Sequence, residues 1–155
     1  MDTIPANHLI DPCNRRLDYL RISVTDRCNL RCAYCLPCED VPRLPHEAVL
    51  RYEEILRIVR VGVRLGIAKV RVTGGEPLVR KGIIGFLSEL SRIPEIRDLS
   101  LTTNGVRLKE HLEALKTAGV SRINISLDTL KPERYRSITG IDAFHAVWEG
   151  VRAAQ

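Results

Sequence analysis

Three cysteines stand within the stretch Cys28-Asn-Leu-Arg-Cys32-Ala-Tyr-Cys35, at spacings of four and three. Three close thiolates can bind three irons of a cubic 4Fe-4S cluster, whereas a structural or electron-transfer site normally supplies a fourth protein ligand. An iron left without a protein ligand can accept a substrate or cofactor, so the triplet points toward catalysis. The bland alternative is a non-catalytic zinc or electron-transfer module with Cys38 as fourth ligand, since Cys35-Leu-Pro-Cys38 adds a two-residue spacing. Zinc sites usually draw paired ligands from two separated elements, and here all four thiols share one short segment. Cys13, the fifth cysteine, reads as a bystander.

The elements that must position these thiols are those of an ordinary single domain. The chain has 155 residues, 45% hydrophobic and 28% charged, which is the usage of a soluble globular protein and not of a disordered one. Its net charge of +5 suits an anionic partner. That excess is modest, so phosphorylated small molecules rank above nucleic acid as partners. Met1 to Pro12 lack the basic start and apolar run of a signal peptide, and no stretch is apolar enough to span a membrane. The expectation is a cytoplasmic protein whose cysteines serve metal or redox chemistry.

Residues 1–16 carry Pro5, Pro12, Asn7 and Asn14 without lasting apolar period and read as an irregular arm; residues 17–155 read as one core. From Leu17, apolar Leu20, Ile22 and Val24 alternate with Tyr19, Arg21 and Ser23, the period of a strand. The cysteines follow at once, and Pro37, Pro42 and Pro45 keep Leu36 to His46 in a loop. Ile55, Leu56, Val59 and Val63 then predict a helix over Tyr52–Leu65, closed by Gly66. A strand over Ala68–Thr73 runs into Gly74-Gly75-Glu76-Pro77 and a helix over Lys81–Ile93. A third strand, Asp98–Thr103, ends in the turn around Asn104-Gly105 before a helix over Leu108–Ala118. The fourth, Ser121–Leu127, leads to a short helical segment at Pro132 and a last helix over Ala143–Ala153.

Strands that alternate with helices imply an α/β fold of parallel strands, a partial (β/α) barrel cut after about four βα units. In such folds ligands bind at the carboxyl ends of the strands. The cysteines, the Gly-Gly turn, the Thr-Thr-Asn-Gly turn and Ser126 all fall at that edge.

The ordered set Arg21-x-Ser23-x-Thr25-x-x-Cys28-x-x-x-Cys32-x-Tyr34-Cys35, Thr73-Gly-Gly-Glu-Pro77, Thr102-Thr-Asn-Gly105 and Asn124-Ile-Ser-Leu-Asp128 resembles the radical S-adenosylmethionine superfamily. Within it the chain is similar to the GTP-cyclising branch that opens molybdenum cofactor biosynthesis. The likeness runs from about Arg15 to the end of the chain. It implies that Cys28, Cys32 and Cys35 hold a 4Fe-4S cluster whose open iron chelates S-adenosylmethionine. It further implies that Tyr34, Gly75 and Ser126 contact that cofactor, with Glu76 helping through a hydrogen bond, and that Arg21, Arg71 and Thr102 bind GTP. A guanidinium suits the last role because it grips phosphate oxygens with paired hydrogen bonds. On a plain structural reading Tyr34 packs, Gly75 makes a βα turn, Ser126 caps a helix and Thr102 fills a strand. Lys69, Arg80 and Lys81 read as surface charges, and His8, His46, His111 and His145 show no ligand spacing.

The chain departs from the family at Cys13-Asn14 and Cys38, none of them an expected ligand. It is also shorter, since the resemblance implies a second cysteine triplet with another 4Fe-4S cluster in a C-terminal part beyond Gln155. An electron donor of unknown identity is implied as well, and the oligomeric state, a homodimer included, stays open.

Overall fold

The computed structural model describes residues 8–35 and 44–155. Four strands, β1 (Tyr19–Ser23), β2 (Lys69–Thr73), β3 (Asp98–Thr103) and β4 (Arg122–Ile125), form one sheet in that order. Every pairing is parallel, so all four carboxyl ends share one edge. Helices α1 (Tyr52–Arg64), α2 (Ile83–Ser91) and α3 (Leu108–Thr117) fill the three crossovers; α4 (Pro132–Thr139) and α5 (Phe144–Ala153) follow β4. This is the expected α/β architecture of parallel strands with helical connections.

Alternation along the strands sorts the side chains. Ile22, Val70, Val72, Leu99 and Leu101 face the helices and are buried against Ile55, Leu56 and Val59 of α1, Phe86, Leu87 and Leu90 of α2, and Leu108 and Leu115 of α3. Tyr52 stacks on Phe86 at 4.6 Å and ties the start of α1 to α2. Tyr135, Phe144 and Val147 make a smaller cluster between α4 and α5. The other face of the sheet is polar, with Arg21, Arg71, Ser100 and Arg122 in one cross-strand row and Ser23 beside Thr73 in the next. A sheet apolar on one face and polar on the other leaves the polar side for ligands or water.

Several boundaries shift for local reasons. Helix α2 begins at Ile83 rather than Lys81, because Pro77–Val79 form a 3-10 turn and Gly82 adopts φ +81° before the helix. β4 is shorter than its apolar pattern; Ser126 still donates its N–H to the Thr103 carbonyl at 2.9 Å, but the chain then leaves the sheet. His46–Ala48 form a 3-10 turn where the prolines predict only loop, and the rest of that loop, with Cys38, lies largely outside the described residues. The arm is not wholly irregular: Ile10 and Arg16 form an antiparallel bridge, and the Asp11 carboxylate accepts the N–H groups of Cys13 and Arg15. Among the described residues no helix is long and apolar enough to cross a membrane.

Candidate functional site

At the carboxyl edge of the sheet the β1 loop is fastened to the other three strand ends. Val24 donates its N–H to the Thr73 carbonyl at 2.9 Å, prolonging the β1–β2 ladder past the last strand residue. Gly75 then donates to the Thr25 carbonyl at 2.6 Å and Glu76 to the Arg27 carbonyl at 2.8 Å. These bonds draw the two backbones so close that a Cβ on Gly75 would lie 2.4 Å from the Arg27 oxygen and 2.9 Å from that of Asp26. Only glycine fits a backbone approach of this kind.

The second fastening is Glu76. Glu76 is 1% exposed, yet both carboxylate oxygens are hydrogen-bonded: Oε1 takes the Leu78 N–H at 3.0 Å and the Thr103 hydroxyl at 2.8 Å, and Oε2 takes the Asn104 N–H at 2.7 Å. Burial pushes this carboxyl above its ordinary range, while the hydrogen bonds from Asn104, Leu78 and Thr103 pull the other way. A buried carboxylate is tolerated where donors satisfy it. The β2 and β3 loops are thereby locked together around one side chain.

From the β3 loop, Asn104 reaches the cysteine segment. Its Nδ2 donates to Asn29 Oδ1 at 2.8 Å and to Cys28 Sγ at 3.6 Å, and Leu30 N–H approaches the same sulfur at 3.4 Å. Further along, Arg31 and Ala33 donate their N–H groups to the Thr139 and Ile138 carbonyls, so the carboxyl end of α4 carries the loop. Gly140, at φ +69°, closes α4 with Arg31 so near that a Cβ there would sit 3.2 Å from the arginine's own. Tyr34 donates its hydroxyl to Asp128 Oδ2 at 2.7 Å, joining the loop to the segment after β4. That bond, with burial, holds the phenol well above its ordinary range.

Cys28 and Cys32 are half-buried and Cys35 is exposed. Cys35 donates its N–H to the Cys32 carbonyl at 2.9 Å in a tight turn. Burial pushes the Cys32 thiol up, Tyr34 opposes this, and the neighbouring Cys35 and Cys28 sulfurs add to it. A bound cation reverses that bias, because a coordinating thiol is deprotonated outright. Among the described residues no three His, Cys, Asp or Glu side chains converge on one point where a single ion would sit. A cubane places no such demand, since each thiolate takes a different iron. N–H groups aimed at Cys28 Sγ also suit a thiolate, so the donor set fits a cluster.

The remaining predicted residues lie on the sheet or at its edge. Arg21 is exposed and sits directly opposite Arg71 on the polar face. Arg71 is half-buried, with Nε 3.4 Å from Ser100 Oγ and its guanidinium 5.5 Å from the Tyr19 ring centroid. Thr102 pairs in register with Asn124 on that face, whereas Thr103, its neighbour, turns inward to Glu76. Ser126 stands exposed at the end of β4. Arg80 is not a surface charge: its guanidinium donates to the Val24 carbonyl at 2.5 Å and the Leu50 carbonyl at 2.7 Å, and lies 4.1 Å over the Tyr52 ring. Lys69 pairs with Asp18 at 3.0 Å. Cys13 lies in the turn of the arm. Sequence reasoning gave Glu76 only a minor part and missed Asn104 and Asp128 as linkers, although all three lie in motifs at strand ends.

Comparison with known proteins bears on this geometry. Residues 22–155 match the radical SAM superfamily. The chain is 55% identical over 146 residues to the GTP 3',8-cyclase of Petrotoga mobilis and 53% identical to that of Geobacter sulfurreducens, alignments that cover 94% of this chain. It spans 45% of the length of either relative. Among solved structures, SuiB of Streptococcus suis bound to the precursor peptide SuiA superposes with a TM-score of 0.63 at 24% identity, over 81% of this chain and 27% of that one. SuiB bound to S-adenosylmethionine gives 0.61. A match that begins within β1 and takes in the thiol loop and every strand end fastened to it places the chain in the radical SAM superfamily.

Proposed function

We propose that this chain is the S-adenosylmethionine-binding portion of an enzyme that converts GTP to 3',8-cyclo-7,8-dihydro-GTP, a step of molybdenum cofactor biosynthesis. Cys28, Cys32 and Cys35 hold a 4Fe-4S cluster, and Tyr34, Gly75 and Ser126 contact S-adenosylmethionine. When bound, the cluster and S-adenosylmethionine would supply radical chemistry: one electron from the external donor would pass through the cluster to cleave S-adenosylmethionine reductively, giving the means to remove the 3' hydrogen of GTP. The protein's own contribution is placement and exclusion of water. Gly75 has spent its N–H on Thr25, so its carbonyl is what it offers to the amino group of the methionyl moiety. Tyr34, within the cysteine loop, is moored to Asp128 in the segment after β4.

The observation that carries the choice of substrate is the pairing of Arg21 with Arg71. Like charges directly opposite on neighbouring strands destabilise a sheet. Among the described residues neither arginine has a carboxylate partner, whereas Arg122 in the same row pairs with Asp98. A polyphosphate on the polar face offsets that repulsion with charge-assisted, bidentate hydrogen bonds. The relatives named GTP 3',8-cyclase support the same reading. Thr102, on the same face, is the third proposed GTP contact.

The reading includes an external electron donor, a second 4Fe-4S cluster in a C-terminal part, and a cytoplasmic setting in which thiols stay reduced. Its test is calorimetric titration of GTP into the anaerobically reconstituted chain, alongside mass spectrometry for the cyclic product with the chain extended to the length of its relatives. Arg21→Ala and Arg71→Ala should each weaken GTP binding at least tenfold. A cluster-loaded, extended protein that cleaves S-adenosylmethionine but leaves GTP unchanged contradicts the assignment and favours a different substrate.

A further inference from the structure

We infer that Asn104 sets the reduction potential of the cluster proposed above by donating a hydrogen bond to its Cys28 ligand. The inference rests on the reading of Cys28 as an iron ligand. An amide nitrogen carries two hydrogens. At Asn104 one is directed to Asn29 Oδ1 at 2.8 Å, which leaves the other for Cys28 Sγ at 3.6 Å. The opposite end of the amide settles which atom faces the sulfur: Oδ1 accepts the Val106 N–H at 3.1 Å. A flipped amide would set oxygen against the Asn29 oxygen and an NH2 group against the Val106 N–H.

The mount of this donor is rigid. The Asn104 backbone N–H is bound to Glu76 Oε2, and Glu76 is held in turn by Leu78 and Thr103 in the interior. Asn104 and Cys28 are both half-buried, where a hydrogen bond is electrostatically stronger than in water. Reduction adds one negative charge to the cluster and its thiolates. A donor on a ligating sulfur therefore favours the reduced state and raises the potential. The Leu30 N–H acts on the same sulfur, but as backbone of the ligand loop itself it is shared by any residue at that position. Asn104 is a donor from a separate strand end, 76 residues away.

The test is an EPR-monitored redox titration of the anaerobically reconstituted chain. At the potential that leaves the wild-type cluster half reduced, Asn104→Ala should lower the ratio of reduced to oxidised cluster about tenfold, ~59 mV for a one-electron couple. Asn104→Asp keeps the size of the side chain and its acceptor for Val106 but removes the donor and adds charge, so its ratio should fall at least as far. Asn29→Ala leaves the Asn104 amide on Cys28 and should stay within about twofold of wild type. Wild-type ratios in both Asn104 variants overturn the inference, as does an equal fall in Asn29→Ala. A variant that keeps wild-type circular dichroism yet takes up no cluster also contradicts it, because a donor that tunes potential is not needed for assembly. If the wild-type chain itself takes up no 4Fe-4S cluster, the proposed function falls as well; a loaded cluster with unmoved potentials removes only this inference.

Discussion

Replacing Gly75 by alanine should destabilise the fold far more than one methyl group suggests. The added Cβ would lie 2.4 Å from the Arg27 carbonyl oxygen, 2.7 Å from its carbon and 2.9 Å from the Asp26 oxygen. All three are backbone atoms, so no side chain can swing aside. Relief requires the β1 and β2 loops to part, which lengthens the Gly75–Thr25 and Glu76–Arg27 hydrogen bonds. Overpacking of this sort costs about 1–3 kcal/mol, and weakening two backbone hydrogen bonds adds about 0.5–1.5 kcal/mol each. A loss near ~3 kcal/mol corresponds to a fall in Tm of roughly 6–12 °C for a domain of this size. The matched control is Gly85→Ala in α2, where the Cβ meets nothing within 4 Å. Relief of glycine's backbone entropy in a helix should there raise stability by roughly 0.5–1 kcal/mol. Thermal unfolding of the metal-free chain, followed by circular dichroism, reads both. Equal Tm values for the two variants would refute the close approach of the two loops.

Glu76→Gln should change the pH dependence of stability. Burial raises the folded-state pKa of Glu76, so its proton-linked stabilisation is complete below the unfolded-state value near 4.5 and is lost as pH rises through the folded-state value. The wild-type advantage over Glu76→Gln in urea midpoint should therefore shrink from pH 4.5 upward; an advantage that grows with pH contradicts the sign. Arg80→Ala removes two carbonyl partners and a stacked ring contact and should cost about 2–4 kcal/mol in urea unfolding. Lys81→Ala, at an exposed neighbour, should stay within about 0.5 kcal/mol.

Much of this was legible because parallel strands gather their carboxyl ends whatever the loops contain. Periodicity identified the strands and helices, and the topology then brought Cys28, Gly75, Asn104 and Ser126 to one edge without any knowledge of distance. Strand alternation also separates Thr102 from Thr103, since Thr103 shares the inward face with Leu99 and Leu101. What sequence could not show is which polar groups meet across loops. In sequence Glu76 reads as a helper of the cofactor contact through a hydrogen bond, and the packed structure reveals that Leu78, Thr103 and Asn104 converge on it. Arg80 reads as surface because nothing in its neighbours announces that the Val24 and Leu50 carbonyls come within reach of its guanidinium. Helix boundaries slipped where proline and glycine reshape a single turn, as at Pro77–Val79 before α2.

The central claim is that Cys28, Cys32 and Cys35 hold a cluster with one iron open to S-adenosylmethionine. EPR of the reduced, anaerobically reconstituted chain before and after addition of S-adenosylmethionine tests it most directly. The account predicts a 4Fe-4S signal that changes when the cofactor binds and disappears when the three cysteines are replaced by alanine. One equivalent of zinc without iron, or a cluster signal indifferent to S-adenosylmethionine or to loss of the three thiols, would contradict it.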